Sequence, residues 1–200
     1  MRRIILKELV DRIKQDGEVL PGNVLKINSF LNHQVDPDLM FAMGTEFAHL
    51  FQDAGVTKIL TVESSGIAPA VMVGLAMHVP VVFARKHKSV TLIDDLYTAE
   101  VYSYTKKTSN HISIAKKFLQ ADDQVLLIDD FLANGQAVQG MFEICDKAHV
   151  KIAGVGIVIE KVFQTGHQLI ADRGVRLESL AQITSFDGDR VHFASEDTQA

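Results

Sequence analysis

The stretch Val125–Val138, VLLIDDFLANGQAV, decides the fold class of this chain. Four apolar residues run directly into two adjacent carboxylates, Asp129 and Asp130, and a short loop with a glycine then leads into a run with helical apolar spacing. A strand, a tight loop and a helix in this order are typical of α/β proteins with a parallel sheet. Ligands of such proteins bind at the carboxyl ends of the strands, so the two acids are predicted to lie at a ligand-binding edge.

The segments around this stretch repeat the alternation of strand and helix. Further strands are predicted at KILTV, PVVFA, IAGVGIVIE and VRLESLAQI, and helices at DLMFAMGTEFAHLFQDA, IAPAVMVGLAMH, AVQGMFEICDKA and FQTGHQLIADRG. Strands made of continuous Val, Ile and Leu indicate a parallel sheet that is covered on both faces. Asp36 followed by Pro37 is a typical helix start, and the first of these helices is expected to end at Gly55. Apolar residues at helical spacing also predict an amphipathic helix near the amino terminus, at Ile5, Leu6, Leu9 and Ile13.

Composition restricts the classes of function. The chain has 200 residues, 47% of them hydrophobic, which fits a single globular unit. Its formal net charge of -5 argues against a surface that binds duplex nucleic acid. No stretch approaches the length of a membrane span. The single cysteine, Cys145, excludes an internal disulfide and fits a reducing compartment, so a cytoplasmic location is expected.

The domain organisation predicted from these patterns is one domain over residues 1–200. About residues 1–36 and carboxyl-terminal segments are expected to form a small hood, and about residues 37–185 the core. Residues 85–110 interrupt the alternation with a run rich in charged residues, Thr, Ser and Tyr. A long insertion in a compact α/β domain is typically functional or mobile, so we predict a flexible loop that folds over a site as a hairpin.

The chemistry of the opening stretch fits a phosphorylated sugar. Paired carboxylates at a strand end can accept hydrogen bonds from vicinal hydroxyls or organise a hydrated Mg²⁺. The backbone N–H groups of Ala133–Ala137 would lie at a helix start, where glycine permits close approach and the helix dipole favours an anion. The alternative is a solvated strand end followed by an ordinary turn, because such turns are common in α/β proteins.

The segment VLLIDDFLANGQA resembles the phosphoribosyl-pyrophosphate motif of type I phosphoribosyltransferases. Together with ESSGIAPA, VFARKHKS, INSFLNHQ and GIVIEKVF, it is similar to the xanthine phosphoribosyltransferases of Gram-positive bacteria, and the matches span residues 24–163. The resemblance implies the type I phosphoribosyltransferase fold, an α/β fold whose central, mostly parallel sheet is flanked by helices. It also implies transfer of ribose 5-phosphate from phosphoribosyl pyrophosphate (PRPP) to N9 of xanthine, which yields XMP and pyrophosphate in purine salvage.

The resemblance assigns roles to individual residues of this chain. The catalytic residues would be Asp129, Asp130 and Lys88. PRPP would be bound by Asp129, Asp130, Ala133, Asn134, Gly135, Gln136, Ala137, Ser64, Ser65, Gly66, Arg85 and Lys86. Mg²⁺ is expected to accompany PRPP and to be held mainly through the substrate, without a dedicated protein site. Cations of the ARKHKS segment reach across a dimer interface in related enzymes, which implies a homodimer with shared sites. The acidic net charge and the lack of a long apolar stretch predict no nucleic-acid or membrane partner.

Xanthine would contact Leu25, Asn32, Lys161 and Phe163. A lysine ammonium only donates hydrogen bonds, so Lys161 suits an oxo group or a developing negative charge on the base, and Phe163 could stack on the purine. Taken alone, a lysine after a strand is ordinarily a surface residue.

The loop Ala133–Ala137 departs from the D-T-G-x-T pattern of many phosphoribosyltransferases. Hypoxanthine–guanine enzymes place an aspartate where Ala133 stands, and a methyl group cannot move a proton. The proton of the purine would therefore go to water or to a phosphate oxygen of the substrate, or the bound xanthine would already be an anion that Lys161 favours.

Three alternatives stay open at the level of sequence. Guanine or hypoxanthine could be the main substrate of the same reaction. A PRPP-sensing regulator is a second alternative, since Gram-positive purine repressors reuse this fold with an added DNA-binding domain; we expect no such domain here, and the acidic charge argues against it. A dinucleotide-binding domain would need G-x-G-x-x-G after its first strand, which VESSGIAP lacks.

Overall fold

The computed structural model describes residues 6–86, 95–103 and 108–194. The helices are α1 (Lys7–Asp16), α2 (Pro37–Leu50), α3 (Ile67–Met77), α4 (Gln136–Ala148) and α5 (Gly166–Asp172). The strands are β1 (Glu18–Leu20), β2 (Val24–Lys26), β3 (Lys58–Val62), β4 (Val81–Ala84), β5 (Leu96–Ser103), β6 (Thr108–Ala115), β7 (Gln124–Leu132), β8 (Lys151–Lys161), β9 (Leu177–Asp187) and β10 (Arg190–Phe193). A π-helical turn spans Asn28–Asn32, and a 3-10 turn spans Lys116–Phe118.

Six strands form the central sheet, in the order β10-β9-β8-β7-β3-β4. The pairs from β9 to β4 are parallel, whereas β10 pairs antiparallel with β9 at one edge. Buried apolar side chains form two clusters, one with side chains of α1, α2 and α3 and the other with side chains of α4, α5 and the β5–β6 hairpin. This arrangement confirms the predicted α/β class with a mostly parallel sheet flanked by helices.

Strand β7 connects the two clusters because successive side chains of a strand point to opposite faces. Leu126 and Ile128 belong to the first cluster, and Val125 and Leu127 to the second. All four are fully buried, and each side chain of this kind stabilises the fold by about 1.5–3 kcal/mol.

The strand that carries the acid pair is longer than the sequence predicted. Its apolar run was expected to end at Asp129, but β7 continues to Leu132 because Phe131 and Leu132 still pair with Ile159 and Glu160 of β8. Both acids therefore lie within the paired part of the strand. A short loop separates the end of β7 from the start of α4.

The predicted start of α2 is confirmed. Asp36 caps α2 by accepting a hydrogen bond from the Leu39 amide at 3.2 Å, with Pro37 in the first turn. Helix α2 ends at Leu50, five residues before the expected stop at Gly55, and a turn fills the interval. Helix α1 is amphipathic as expected, with Leu9, Val10 and Ile13 buried.

Short strands complete the described fold. Strands β1 and β2 form an antiparallel hairpin, and β10 pairs with β9 at the edge of the central sheet. No helix within the described ranges is long and apolar enough to cross a membrane.

The insertion at residues 85–110 is described in part. Strands β5 and β6 pair antiparallel as a hairpin, and Arg85 bridges from the end of β4 to Ser113 of β6. Residues 87–94 and 104–107 lie outside the described residues, and Lys88 is among them. The predicted flexibility of this loop stays a prediction.

A buried ion pair ties the start of β7 to β3. Lys58 Nζ lies 2.6 Å from Asp123 Oδ2, and Asp123 also accepts hydrogen bonds from the Thr57 hydroxyl and the Gln120 amide. Burial acts to raise the pKa of Asp123, but the hydrogen bonds and the charge of Lys58 outweigh it, and the pKa is lowered.

Asp123→Asn should reduce the free energy of unfolding at pH 7 by about 1–2 kcal/mol, because it removes a charge-assisted hydrogen bond. Since the folded pKa is depressed, the stabilisation is present above the pKa of the unfolded aspartate, about 3.9, and is lost as the pH falls through the folded pKa. Urea unfolding at pH 7 and in steps down to pH 3 measures the difference, with exposed Asp122→Asn as the control. A deficit that persists unchanged at pH 3, or an equal deficit in the control, would contradict this account.

Candidate active site

Asp129 and Asp130 stand side by side near the carboxyl end of β7. Asp129 is 5% exposed and Asp130 is half-buried, and the Asp130 amide donates a hydrogen bond to Asp129 Oδ1 at 3.1 Å. Burial raises the pKa of Asp129 well above its ordinary value, and the charge of Asp130 raises it further. Burial also raises the pKa of Asp130. The pair is therefore electrostatically unfavourable when empty and would be stabilised by a cation or by hydroxyl donors.

The ESSG segment lies directly beside this pair. It forms the turn between β3 and α3, with a cis peptide bond between Glu63 and Ser64. A Cβ atom built on Gly66 would lie 3.1 Å from Asp129 Oδ1 and would clash with the hydroxyl of Thr61. Glycine is required here by close approach rather than by φ, which is -69°. The structure thus brings the predicted pyrophosphate loop and the predicted ribose acids together.

The cations that follow β4 lie at the same edge. Arg85 and Lys86 are exposed, and the Lys86 amide donates a hydrogen bond to Glu63 Oε2 at 3.0 Å. The positive charge of Lys86 acts to lower the pKa of both Asp129 and Asp130, although burial outweighs it. Three neighbouring strand ends, those of β3, β4 and β7, therefore present acids, a glycine turn and cations to one edge of the sheet.

The loop after the acids has the geometry of an anion site. Gly135 has a φ of +79°, a conformation that favours glycine, and α4 begins at the next residue. The first helical hydrogen bond runs from the Gln139 amide to the Gly135 carbonyl, so the amides before Gln139 lack helical acceptors. No side chain caps this end. Ala133, Asn134, Gln136 and Ala137 are half-buried around it, and an anion would satisfy the amides and the helix dipole together.

Lys161, at the end of β8, is surrounded by aromatic rings. Its Nζ lies 5.8 Å from the ring centroid of Phe131 and 5.7 Å from that of Phe186. The same Nζ donates a hydrogen bond of 2.9 Å to the carbonyl of Asn23, in the turn between β1 and β2. Burial lowers the pKa of Lys161. Phe163 is 44% exposed and makes an edge-to-face contact with Phe186, with 6.0 Å between the ring centroids. A cation among aromatic faces is suited to a flat ring that carries oxo groups.

The other two predicted base contacts lie before α2, in the segment predicted to form the hood. Leu25 pairs with Val19 in the β1–β2 hairpin, and its side chain is buried in the core. Asn32 ends the π-helical turn and is exposed. Their contacts with a base stay predictions.

Sequence reasoning missed four residues that shape this edge, namely Asn23, Glu63, Phe131 and Phe186. Phe131 directly follows the acid pair and could have been found from the alternation of β7. The PGN segment before β2 carried a turn signal, and Asn23 does adopt a φ of +60°. Nothing local marks Phe186, which reaches Lys161 only because β9 lies next to β8.

The metal-binding capacity of the protein side chains is small. Within the described ranges, no three or more His, Cys, Asp or Glu side chains come together in a way that could hold a metal ion. The Thr61 hydroxyl beside Gly66 is buried and lacks a hydrogen-bond partner among the described groups. A cation at this edge would thus depend on the acid pair together with oxygens of a bound ligand.

Comparison with known proteins identifies the family. A xanthine phosphoribosyltransferase of Lactiplantibacillus plantarum is 94% identical over 195 residues, which cover 98% of this chain and 100% of that protein. Xanthine phosphoribosyltransferases of Ligilactobacillus salivarius and Levilactobacillus brevis are 70% and 65% identical, each over 96% of this chain and 100% of the relative. No protein-family model matches the chain.

Solved structures agree at the level of the fold. Adenine phosphoribosyltransferase of Trypanosoma brucei, in complex with AMP, pyrophosphate and ribose 5-phosphate, has a TM-score of 0.72 at 16% identity, over 96% of this chain and 91% of that one. The enzyme of the same name from Rhodothermus marinus has a TM-score of 0.71 at 20% identity, over 89% of this chain and 100% of that one. The fold is that of the type I phosphoribosyltransferases, and by sequence the chain belongs to the xanthine phosphoribosyltransferase family.

Proposed function

We propose that this chain transfers the 5-phosphoribosyl group of PRPP to N9 of xanthine, with XMP and pyrophosphate as products. The observation that carries the proposal is the placement of the buried pair Asp129–Asp130 directly before the uncapped start of α4. Acids that accept hydrogen bonds from a diol, followed by amides that bind an anion, fit a ribose 5-phosphate. The identity of 94% to a xanthine phosphoribosyltransferase supports xanthine as the base.

The acid pair would act on the sugar. Departure of pyrophosphate leaves a ribosyl centre with oxocarbenium character, as in glycosyl transfer generally. Asp129 and Asp130 would hold the ribose hydroxyls and offset the positive charge that develops next to them. Because the pair is preorganised and partly desolvated, this electrostatic effect is larger than it would be in water.

The remaining polar groups of the edge would orient the two phosphate ends of PRPP. The amides of Ala133–Ala137 would bind the 5-phosphate. Ser64, Ser65 and Gly66 would face the pyrophosphate, and Arg85 and Lys86 would neutralise its charge. Lys88 is proposed to add a further cation. Positioning both substrates in line supplies much of the rate enhancement in a reaction of this type.

Mg²⁺ is the cofactor that this donor set fits. Two adjacent carboxylates whose pKa values are raised by burial would be stabilised by a hard cation, and Mg²⁺ is commonly held by one or two carboxylates plus substrate phosphates. Asp129 and Asp130 would hold it together with PRPP oxygens. When bound, the ion would offset the charge of the departing pyrophosphate.

The base would lie between the hood and Lys161. The Lys161 ammonium would donate to an oxo group of xanthine and favour its anion, which compensates for the absence of an acid at position 133. Leu25, Asn32 and Phe163 complete the proposed pocket. Cation–π contacts with the rings of Phe131 and Phe186 stabilise the Lys161 ammonium.

An assay with PRPP, Mg²⁺ and each of xanthine, guanine, hypoxanthine and adenine, read as release of pyrophosphate, tests the proposal. Xanthine should give the highest kcat/KM. A higher value for guanine or hypoxanthine would replace the proposed base, and no pyrophosphate release with any purine would overturn the proposed reaction.

Asp130→Asn should lower kcat by about 100- to 1000-fold, the usual effect of losing one preorganised electrostatic group. The free energy of unfolding at pH 7 should stay equal or rise, because the folded pKa of Asp130 is raised and its ionised form is disfavoured in the folded state. Turnover at saturating PRPP and urea unfolding measure the two effects, with Asp122→Asn as the control. Parent-like turnover in the Asp130 variant would remove the proposed role.

Lys161→Met should lower kcat/KM for xanthine by about 10- to 100-fold, because a hydrogen bond from a charged donor contributes about 1.5–3 kcal/mol. The parent should also lose activity at high pH, as its ammonium loses a proton at a lowered pKa, and the variant should lack this decline. Lys151→Met, at the exposed opposite end of β8, serves as the control. Identical pH–rate profiles for the Lys161 variant and the parent would contradict the role.

The homodimer is part of the proposal, and an apolar surface supports it. Phe41 of α2 and Val71 and Leu75 of α3 are 57%, 45% and 58% exposed. The helices pack closely, since a Cβ on Gly44 would lie 2.5 Å from Met72 Cβ, so these exposed side chains lie on two adjacent helices. Exposed apolar patches of this kind mark protein interfaces.

A cytoplasmic location is also proposed, since the chain has only one cysteine.

Leu75→Glu should shift the protein towards monomer at micromolar concentration, because a charge would have to be buried at the interface. Analytical ultracentrifugation measures the mass, with Gln139→Glu on the opposite face of the sheet as the control. A parent that is already monomeric, or a Leu75 variant that dimerises as the parent does, would rule out this patch as the dimer interface.

A further inference from the structure

Glu160, the residue before Lys161, is a fully buried acid outside the reacting groups. Its Oε2 accepts hydrogen bonds from the Ser179 hydroxyl at 2.7 Å and from the Gln182 side-chain amide Nε2 at 2.9 Å. Its Oε1 lies 2.6 Å from His167 Nδ1. A buried carboxylate with three partners holds these groups in one arrangement. Loss of a partner would leave the carboxylate with fewer hydrogen bonds in a medium of low dielectric, which is costly.

His167 lies next to the residue that supports the loop Ala133–Ala137. Gly166 begins α5, and its amide donates a hydrogen bond of 2.9 Å to the Ala133 carbonyl. A Cβ on Gly135 would lie 3.0 Å from Gly166 Cα, and a Cβ on Gly166 would lie 2.6 Å from the Ala133 carbonyl oxygen. The loop and the start of α5 are therefore in close backbone contact at Ala133 and Gly135.

The same acid is anchored to the strand from which the loop emerges. Glu160 pairs in register with Leu132 of β7 on one side and with Gln182 of β9 on the other. Leu132 is the last residue of β7, directly before Ala133. A displacement of the Glu160–His167 pair would thus move both the end of the strand and the backbone that supports Gly135.

We propose that Glu160 and His167 are positioning residues that hold Gly166 against the phosphate loop Ala133–Ala137. The inference rests on the proposed function, in which this loop binds the 5-phosphate of PRPP. The carboxylate fixes the imidazole, the imidazole fixes the first turn of α5, and Gly166 in that turn fixes the Ala133 carbonyl and Gly135. Because the amides must point at one phosphate position, a small displacement weakens PRPP binding while the aromatic surroundings of Lys161 stay in place.

The exposure of His167 favours positioning over plain stabilisation. The His167 side chain is 51% exposed, so its removal deletes little buried apolar surface. Glu160 keeps its hydrogen bonds with Ser179 and Gln182 when the imidazole is lost. The effect on geometry should therefore exceed the effect on the free energy of unfolding.

His167→Leu and His167→Asn form the test, with steady-state kinetics for PRPP and xanthine and thermal unfolding of each protein. His167→Leu should raise KM for PRPP about 10- to 100-fold, as expected for a modest misplacement of binding groups, and leave KM for xanthine within about twofold. His167→Asn keeps a donor near the position of Nδ1 and should restore KM for PRPP towards the parent value. Gln168→Leu, the exposed neighbour in α5, is the matched control and should behave as the parent.

Two results would overturn the inference. One is a parent-like KM for PRPP in His167→Leu. The other is an equal rise of KM for PRPP and for xanthine in His167→Leu, together with a lower Tm that His167→Asn does not restore. Such a result would show a structural effect only. Neither result bears on the proposed function, which fails separately if the parent protein releases no pyrophosphate from PRPP and xanthine.

Discussion

Two like charges are held side by side in a strand that is buried on both faces, and the rest of the edge is arranged around them. Asp129 is almost fully buried, and burial raises the pKa of both acids. A bound cation or hydroxyl donors would offset the cost of burying the two acids together. Gly66 packs against Asp129 with no room for a side chain, and the positive charge of Lys86 acts to lower the pKa of Asp129.

The sheet order explains why distant segments meet at the acids. Because β3, β4, β7 and β8 are consecutive parallel neighbours, their carboxyl ends all reach one edge. The turn after β3, the cations after β4, the amides after β7 and Lys161 at the end of β8 then form a continuous set of polar groups. Two glycines permit close approach where a side chain would not fit. At Gly66 the backbone lies against the Asp129 side chain, and at Gly166 it lies against the backbone of the loop at Gly135.

The sequence predicted the elements whose signal is local. The continuous apolar runs of β7 and β8 and the Asp36–Pro37 start of α2 were found because burial and capping leave a direct pattern. The end of β7 was misplaced because strand length depends on pairing with β8. The strand was predicted to end at the acids, but it continues to Leu132. Phe186 and the pair Glu160–His167 left no local signal, since their roles arise from contacts between β8, β9 and α5.

The central claim is that the acid pair and the amide-lined loop behind it bind one phosphorylated ribose. A crystal structure of the protein with XMP tests this most directly. The account predicts phosphate oxygens within hydrogen-bonding distance of the Ala133–Ala137 amides and both ribose hydroxyls on Asp129 and Asp130. A phosphate bound elsewhere, with the two carboxylates facing solvent, would contradict it.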